Sequence, residues 1–362
     1  MKIVSGLKLE NSNIAFQGIT PLITPFQLKR GRLAVTKQAR QTVIDGRQQI
    51  IKILSGKDSR FLAIVGPCSI NDPKAAIDYA GRLARLAKQT ADRLLIVMRV
   101  YFEKPRTTIG WKGLIAEPEP AVDNGFNIKK GLKIARGLLL EINKMGLPVA
   151  TEFLDPIIPQ YISDLISWGA VGARTTESQI HRQMTSGLSM PIGFKNSTEG
   201  NIQIAANAII AARTPHVFLG INGSGRVSVI HTKGNQWAHL VLRGGKKPNY
   251  DSVNIGKAIE ILNEADRKSG KKSYDTKILI DCSHGNSGKD PVKQVVICRK
   301  IVAQFIAGNK RIAGFMLESN INPGRQDISP RMKYGVSITD PCIGWEETED
   351  ILLEIHGCLK NS

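Results

Sequence analysis

Cys68, His284, Glu318 and Asp340 supply a thiol, an imidazole and two carboxylates. That mixture of soft and hard donors suits one borderline divalent transition metal (Mn, Fe, Co or Zn) better than calcium or magnesium. Arg99, Lys104, Arg106, Arg174, Lys195 and Arg243 supply six cations. Brought to one place they would repel one another unless anions lay among them. Guanidinium forks match phosphate and carboxylate, and lysine adds a point charge, so two phosphates, or a phosphate and a carboxylate, would use such a set. Taken singly, each residue reads otherwise. A cysteine that ends an apolar run is ordinarily a small buried hydrophobe, a lone histidine is ordinarily a hydrogen-bonded structural group, and scattered cations form surface ion pairs. The elements that carry these residues decide between the two readings.

From residue 61 onward one unit recurs eight times: a short β-branched, near-continuously apolar run followed by a segment of helical period. The expected strands are 61–69, 94–102, 148–153, 170–175, 191–196, 239–245, 277–284 and 312–319. Helices are expected after each, for example over 74–88 and over 131–145, where Leu132, Ala135, Leu138, Leu139 and Ile142 form one apolar stripe. Eight strand–helix units predict an α/β fold, a (β/α)8 TIM barrel. Residues 1–60 form an amino-terminal extension and helix, and 61–362 the catalytic barrel. An inserted β-hairpin is expected at about 216–235, turning through Asn222–Gly225. In a parallel barrel the carboxyl ends of all strands meet on one face. Cys68, Arg99, Glu152, Arg174, Lys195, Arg243, His284 and Glu318 come one from each strand end, with Lys104, Arg106 and Asp340 in loops just beyond. Convergence therefore favours the metal and the anionic ligand. Glu152 is expected to be the single free acid there, and the glycine pair in LRGG (242–245) marks a place where backbone approaches a ligand closely.

Composition removes other classes. At 362 residues, 42% hydrophobic and 22% charged, the chain is neither disordered nor fibrous. No run approaches the roughly 18 apolar residues of a membrane span, and a cytoplasmic enzyme is expected. Five scattered cysteines fit a reducing compartment. The net charge of +19 attracts anions. Because its basic residues are spread and its aromatics are only 6%, neither nucleic acid nor membrane is expected as a partner.

The strings GPCSI (66–70), MRVYFEKPRTTIGWKGL (98–114), SWGAVGARTTESQIHR (167–182), LRGGKKPNY (242–250), DCSHGNS (281–287) and SITDPCIGWEET (337–348) give the chain a resemblance to a known family. From about residue 45 to 356 it resembles the class I, feedback-regulated 3-deoxy-D-arabino-heptulosonate 7-phosphate synthases. The resemblance implies a TIM-barrel transferase that condenses phosphoenolpyruvate with erythrose 4-phosphate, the first step of the shikimate pathway. It implies metal ligation by Cys68, His284, Glu318 and Asp340. It implies phosphoenolpyruvate binding by Arg99, Lys104, Arg174, Lys195 and Arg243, and erythrose 4-phosphate binding by Lys104, Pro105, Arg106 and Thr107. Lys104 would act on the new alkoxide, and Glu152 or His284 would take the proton from water. Lys-Pro-Arg-Thr at 104–107 differs from the Lys-Ala-Asn-Arg-Ser-Ser of the sister octulosonate synthases and argues against that alternative. The family's effector cavity maps to Pro159, Gln160, Leu188, Ser189, Phe218 and Gly220, with Asn222–Gly225 departing from the usual Thr-Lys-x-Gly turn. Those six residues would hold an aromatic amino acid, tryptophan being the first expectation, or would pack the hairpin on the barrel. A homodimer or homotetramer is implied.

Overall fold

A computed structural model describes residues 18–121, 125–270 and 277–361. Eight parallel strands close into a barrel: β1 (Phe61–Gly66), β2 (Leu94–Arg99), β3 (Val149–Glu152), β4 (Trp168–Val171), β5 (Ile192–Lys195), and then, after the hairpin β6 (Val217–Ile221) and β7 (Val227–His231), β8 (Ala238–Leu242), β9 (Ile278–Asp281) and β10 (Ile312–Glu318). Around the barrel the order is β1-β10-β9-β8-β5-β4-β3-β2, and β6 pairs antiparallel with β7 alone. This is the (β/α)8 barrel expected from the eightfold repeat, with the hairpin inserted between its fifth and sixth strands.

Side chains alternate along a strand, so every second residue faces the barrel axis. Leu62, Ile64, Leu95, Val97, Ala150, Trp168, Ala170, Val241, Leu279 and Met316 form one buried interior cluster. Gly193 on β5 makes room for it, since a Cβ there would press on the Trp168 indole and on Val241. The same cluster includes Ile50, Ile53 and Leu54 from the helix Lys37–Leu54, whose apolar face thus plugs the amino-terminal end of the barrel. Outside the strands a second, larger cluster joins the helix faces, including all five residues of the stripe expected over 131–145.

Helix starts follow local chemistry. Asp72 accepts the Lys74 and Ala75 N–H groups ahead of Pro73–Gln89, and Asn127 accepts that of Lys130 ahead of Ile128–Lys144. Two expectations need correction. The fourth strand runs over Trp168–Val171 rather than 170–175, because the chain turns at Gly172, whose carbonyl accepts from Thr175 and Thr176. The third unit lacks a full helix. Between Glu152 and Trp168 there is room only for the turn Pro159–Ile162 and a 3₁₀ turn Ser163–Leu165, with Pro156 and Pro159 restricting the backbone. The wholly buried Arg136 organises this stretch, donating to Leu33 O, Tyr161 O and both Asp164 oxygens. Among the described residues no helix is long and apolar enough to cross a membrane.

Candidate active site

One step further along the inward face, the barrel lining changes from apolar to charged. Arg99 follows Val97, Glu152 follows Ala150, Asp281 follows Leu279 and Glu318 follows Met316, each two residues on. Lys195 ends β5, and Arg243 lies just past β8. Arg174 sits in the turn after β4. His284 opens a short helix, His284–Ser287, with φ 54°, a left-handed conformation that a non-glycine residue adopts only under constraint. Arg99, Lys104, Pro105, Arg106, Thr107, Glu152, Arg174, Lys195, Arg243, His284, Glu318 and Asp340 all line one cleft of about 370 Å³. Cys68 is fully buried against it. Every residue expected to bind metal or substrate is therefore at this mouth.

The contacts divide as the chemistry does. Cys68, Glu318 and Asp340 each bring a ligand atom within 4.8 Å of the others. Lys104 Nζ lies 3.2 Å from Cys68 Sγ, so this thiol–dicarboxylate set already faces a cation, and its mixed donors fit a divalent transition ion. His284 stands outside that set of three: its Nε2 is 3.7 Å from Glu318 Oε1, and its Nδ1 is 2.9 Å from Asp281 Oδ2. Burial pushes the Cys68 thiol up, Glu318 adds to this and Lys104 opposes it. Burial also works against the Asp340 carboxylate, yet Lys104 and Lys289 hold it down at about 2. Glu318 is likewise held below its usual range against burial, by His284 and Arg99. These two carboxylates are ionised at neutral pH, as cation ligation requires.

The cations are more fully paired than the sequence implies. Arg99 Nη2 donates to Glu318 Oε1 at 3.0 Å with both side chains buried, and Lys195 Nζ lies 3.2 Å from Asp281 Oδ2 and 3.6 Å from Glu152 Oε2. Glu152 is thus not the single free acid, because Asp281, wholly buried and held charged by His284 and Lys195 despite burial, is a second. Its sequence signal is the alternation from Leu279, two residues before it. Among the described residues Arg106, Arg174 and Arg243 form no ion pair, nor does Lys104, whose Nζ meets only the Cys68 carbonyl and thiol, and the unbalanced positive charge of the mouth rests on these four. Lys289, which donates to Asp340 Oδ1 at 3.0 Å from a left-handed backbone (φ 65°), and Tyr101 also belong to the site unforeseen. The LRGG glycines are required by loop packing: a Cβ on Gly244 would strike the backbone of Gly285 and Asn286, and one on Gly245 that of Gly200.

Away from the mouth, the hairpin base meets the segment before β5. Ser186 Oγ and Thr232 Oγ1 lie 2.6 Å apart, and Asn235 donates to Leu188 O at 3.1 Å. Phe218 and Gly220 lie on β6, half-buried, beside Ile230 of β7. Pro159 and Gln160 open the short turn after β3, and Ser189 is exposed. Residues 23–26 bridge the two regions, since Tyr161 Oη donates to Ile23 O at 2.7 Å and Phe26 N to Gly223 O at 2.9 Å.

The chain is similar to known enzymes over nearly its whole length. The chain is 50% identical over 338 residues to the Tyr-sensitive phospho-2-dehydro-3-deoxyheptonate aldolase of Escherichia coli K12, covering 92% of each. It is 47% identical over 356 residues to the Phe-sensitive enzyme of that organism (98% and 99% covered) and 49% identical over 336 residues to the Trp-sensitive one (92% and 94%). The structure of the phospho-2-dehydro-3-deoxyheptonate aldolase from Francisella tularensis SCHU S4 superposes with a TM-score of 0.90 at 46% identity, covering 95% of this chain and 98% of that one. The model of the DAHP synthetase I family matches residues 33–353, and the chain belongs to that family.

Proposed function

We propose that this protein condenses phosphoenolpyruvate, erythrose 4-phosphate and water to 3-deoxy-D-arabino-heptulosonate 7-phosphate and phosphate, the first step of the shikimate pathway to chorismate and the aromatic amino acids. The observation that carries the reading is the single mouth in which a thiol–dicarboxylate donor set adjoins three unpaired guanidinium groups. In this reading Arg99, Lys104, Arg174, Lys195 and Arg243 hold phosphoenolpyruvate. Lys104, Pro105, Arg106 and Thr107, in the loop beyond β2, receive the aldose phosphate, with Thr107 Oγ1 already steadied by Arg174 Nη2 at 3.1 Å. Cys68, Glu318 and Asp340, with His284 beside them, would hold one divalent metal (Mn, Fe, Co or Zn), which when bound supplies Lewis-acid polarisation of the aldehyde.

The chain's own groups account for the remaining steps. The enol carbon of phosphoenolpyruvate forms the new bond to the aldehyde carbon, whose oxygen takes a proton or hydrogen bond from Lys104. Burial disfavours that ammonium, but Cys68, Glu318, Glu152 and Asp340 around it keep its proton bound more firmly than usual, which makes it a weaker acid and suits it to stabilise the new alkoxide as a charged hydrogen-bond donor. Water then adds at the adjacent, phosphate-bearing carbon, which the first bond leaves electron-poor, Glu152 takes its proton, and the C–O bond to phosphate breaks as the ketone forms, phosphate leaving toward Arg174 and Arg243. Glu152 is preferred to His284 because both ring nitrogens of His284 already face carboxylates. The test is phosphate release from the purified protein with both substrates, with and without a chelator, and with arabinose 5-phosphate in place of erythrose 4-phosphate. Release with the five-carbon sugar alone, or at full rate after metal removal, overturns the reading.

Regulation by an aromatic amino acid, tryptophan first, is proposed at Pro159, Gln160, Leu188, Ser189, Phe218 and Gly220. The relatives named for tyrosine, phenylalanine and tryptophan sensitivity are nearly equal in identity, so overall identity does not select among the three. A homodimer or homotetramer is supported by the outer hairpin face, where Val217, Leu219, Val227 and Val229 are 58–77% exposed. The free cysteines accord with a reducing cytoplasm.

A further inference from the structure

Whereas His284 Nδ1, without a well-formed hydrogen bond, at least has the Asp281 carboxylate beside it at 2.9 Å, Arg99 Nη1 and the Tyr101 hydroxyl are buried in the cleft with no partner among the described residues. Both residues line the cleft, and they are only 1% and 2% exposed. Tyr101 stands two residues beyond Arg99, on the same inward face, and its ring joins the apolar interior. The Arg99 guanidinium lies 4.1 Å from the ring centroid and Lys195 Nζ 6.0 Å. The ring therefore forms a floor under two substrate-facing cations, a task phenylalanine would perform equally well. A phenol there carries a hydroxyl out of water with no protein partner, which is unfavourable unless an occupant of the cleft accepts from it.

We infer that the Tyr101 hydroxyl is a substrate-binding donor: together with Arg99 Nη1 it takes the carboxylate of phosphoenolpyruvate at the cleft floor. The assignment rests on the function proposed above. The choice of carboxylate follows from depth. A monoanion loses its hydration more cheaply than a phosphate dianion, and the floor is the driest place in the cleft. Arg174 is exposed and Arg243 half-buried, so the phosphate belongs to them, nearer the rim. Burial pushes the phenol's proton affinity up, against the pull of Arg99 and Lys195. It is therefore a donor throughout the neutral range.

Calorimetric titration of the metal-loaded protein with phosphoenolpyruvate, before any aldose is added, tests the assignment on wild type and Tyr101→Phe. Affinity is expected to fall about tenfold in the variant, as for loss of one hydrogen bond to a charged acceptor. The Michaelis constant for erythrose 4-phosphate should stay within about twofold, and affinity for inorganic phosphate should be unchanged. The midpoint of thermal unfolding is expected to hold or rise, because the variant removes an unmatched buried polar group and keeps the ring. Equal phosphoenolpyruvate affinities in the two proteins would overturn the Tyr101 assignment alone. An equal loss for inorganic phosphate would overturn the choice of carboxylate. A clear drop in the unfolding midpoint with unchanged affinity would make the hydroxyl structural. Absence of phosphoenolpyruvate binding by the wild type would overturn the site reading itself and this assignment with it.

Discussion

His239, in the barrel interior beneath the cleft, makes stability depend on pH in a way that can be worked out from its contacts. It lies on β8 and is 1% exposed. Trp168 Nε1 faces its Nε2 at 3.2 Å, and the Trp237 carbonyl faces its Nδ1 at 2.9 Å. An indole N–H only donates, so Nε2 must accept and the single ring proton resides on Nδ1, donated to Trp237 O. A second proton would set N–H against N–H and leave a charge away from water. Burial, with Arg213 repelling a further cation, accordingly lowers its pKa from 6.5 to about 4. A base with a depressed pKa binds its proton more readily when unfolded, so stability is whole above about pH 6.5 and falls as the pH drops toward 4. That lowering corresponds to about 3 kcal/mol in full, and to about 2 kcal/mol at pH 5. His239→Gln keeps an acceptor for Trp168 and a donor for Trp237 but does not titrate. Urea unfolding of both proteins, followed at pH 7.5 and pH 5 by tryptophan fluorescence, should show the wild type losing about 2 kcal/mol relative to the variant on acidification. A gap between the two that is the same at both pH values would refute the reasoning.

Four further outcomes are expected. Cys68→Ala should lose stoichiometric metal, measured by elemental analysis, and activity with it, while circular dichroism stays native; full metal content with normal turnover would remove Cys68 from the ligand set. Arg106→Ala should raise the Michaelis constant for erythrose 4-phosphate by tenfold or more, taking about 1.4 kcal/mol per tenfold, and leave that for phosphoenolpyruvate nearly unchanged; equal effects would merge the two anion sites. Arg136→Met should cost several kcal/mol, because it takes the donor from the Leu33 and Tyr161 carbonyls and leaves the half-buried Asp164 with Lys29 alone at 3.4 Å, and a shift of less than a few tenths in unfolding free energy would contradict that. Ser189→Phe should relieve aromatic amino-acid inhibition without lowering uninhibited turnover, acting through differential affinity for two states; a wild type insensitive to all three aromatic amino acids at millimolar concentration would end the regulatory proposal and leave the catalytic one untouched.

How far the sequence discloses such a site depends on whether a residue's position follows from period or from turns. Arg99, Glu152, Lys195 and Glu318 end apolar strands, so counting strands was enough to gather them. Asp281 is equally accessible to counting, since it stands in phase with Leu279, although His284, three residues later, is chemically the richer group. His284 itself reaches the mouth through a left-handed turn that no period encodes, which is why its ring sits against Asp281 and outside the compact trio of Cys68, Glu318 and Asp340. Tyr101 reads in sequence as one more aromatic closing an apolar strand, and only its unmatched hydroxyl marks it as part of the site. The same limit explains the charges. Sequence supplies six cations, but whether each is free depends on cross-barrel partners such as Glu318 for Arg99 and Asp281 for Lys195, which lie 219 and 86 positions away (318−99; 281−195). Period tells which face a residue occupies, and closure of the barrel alone tells what it faces. The anion specificity proposed here therefore rests on the three guanidinium groups that closure leaves unpaired, not on the six cations that the strands deliver.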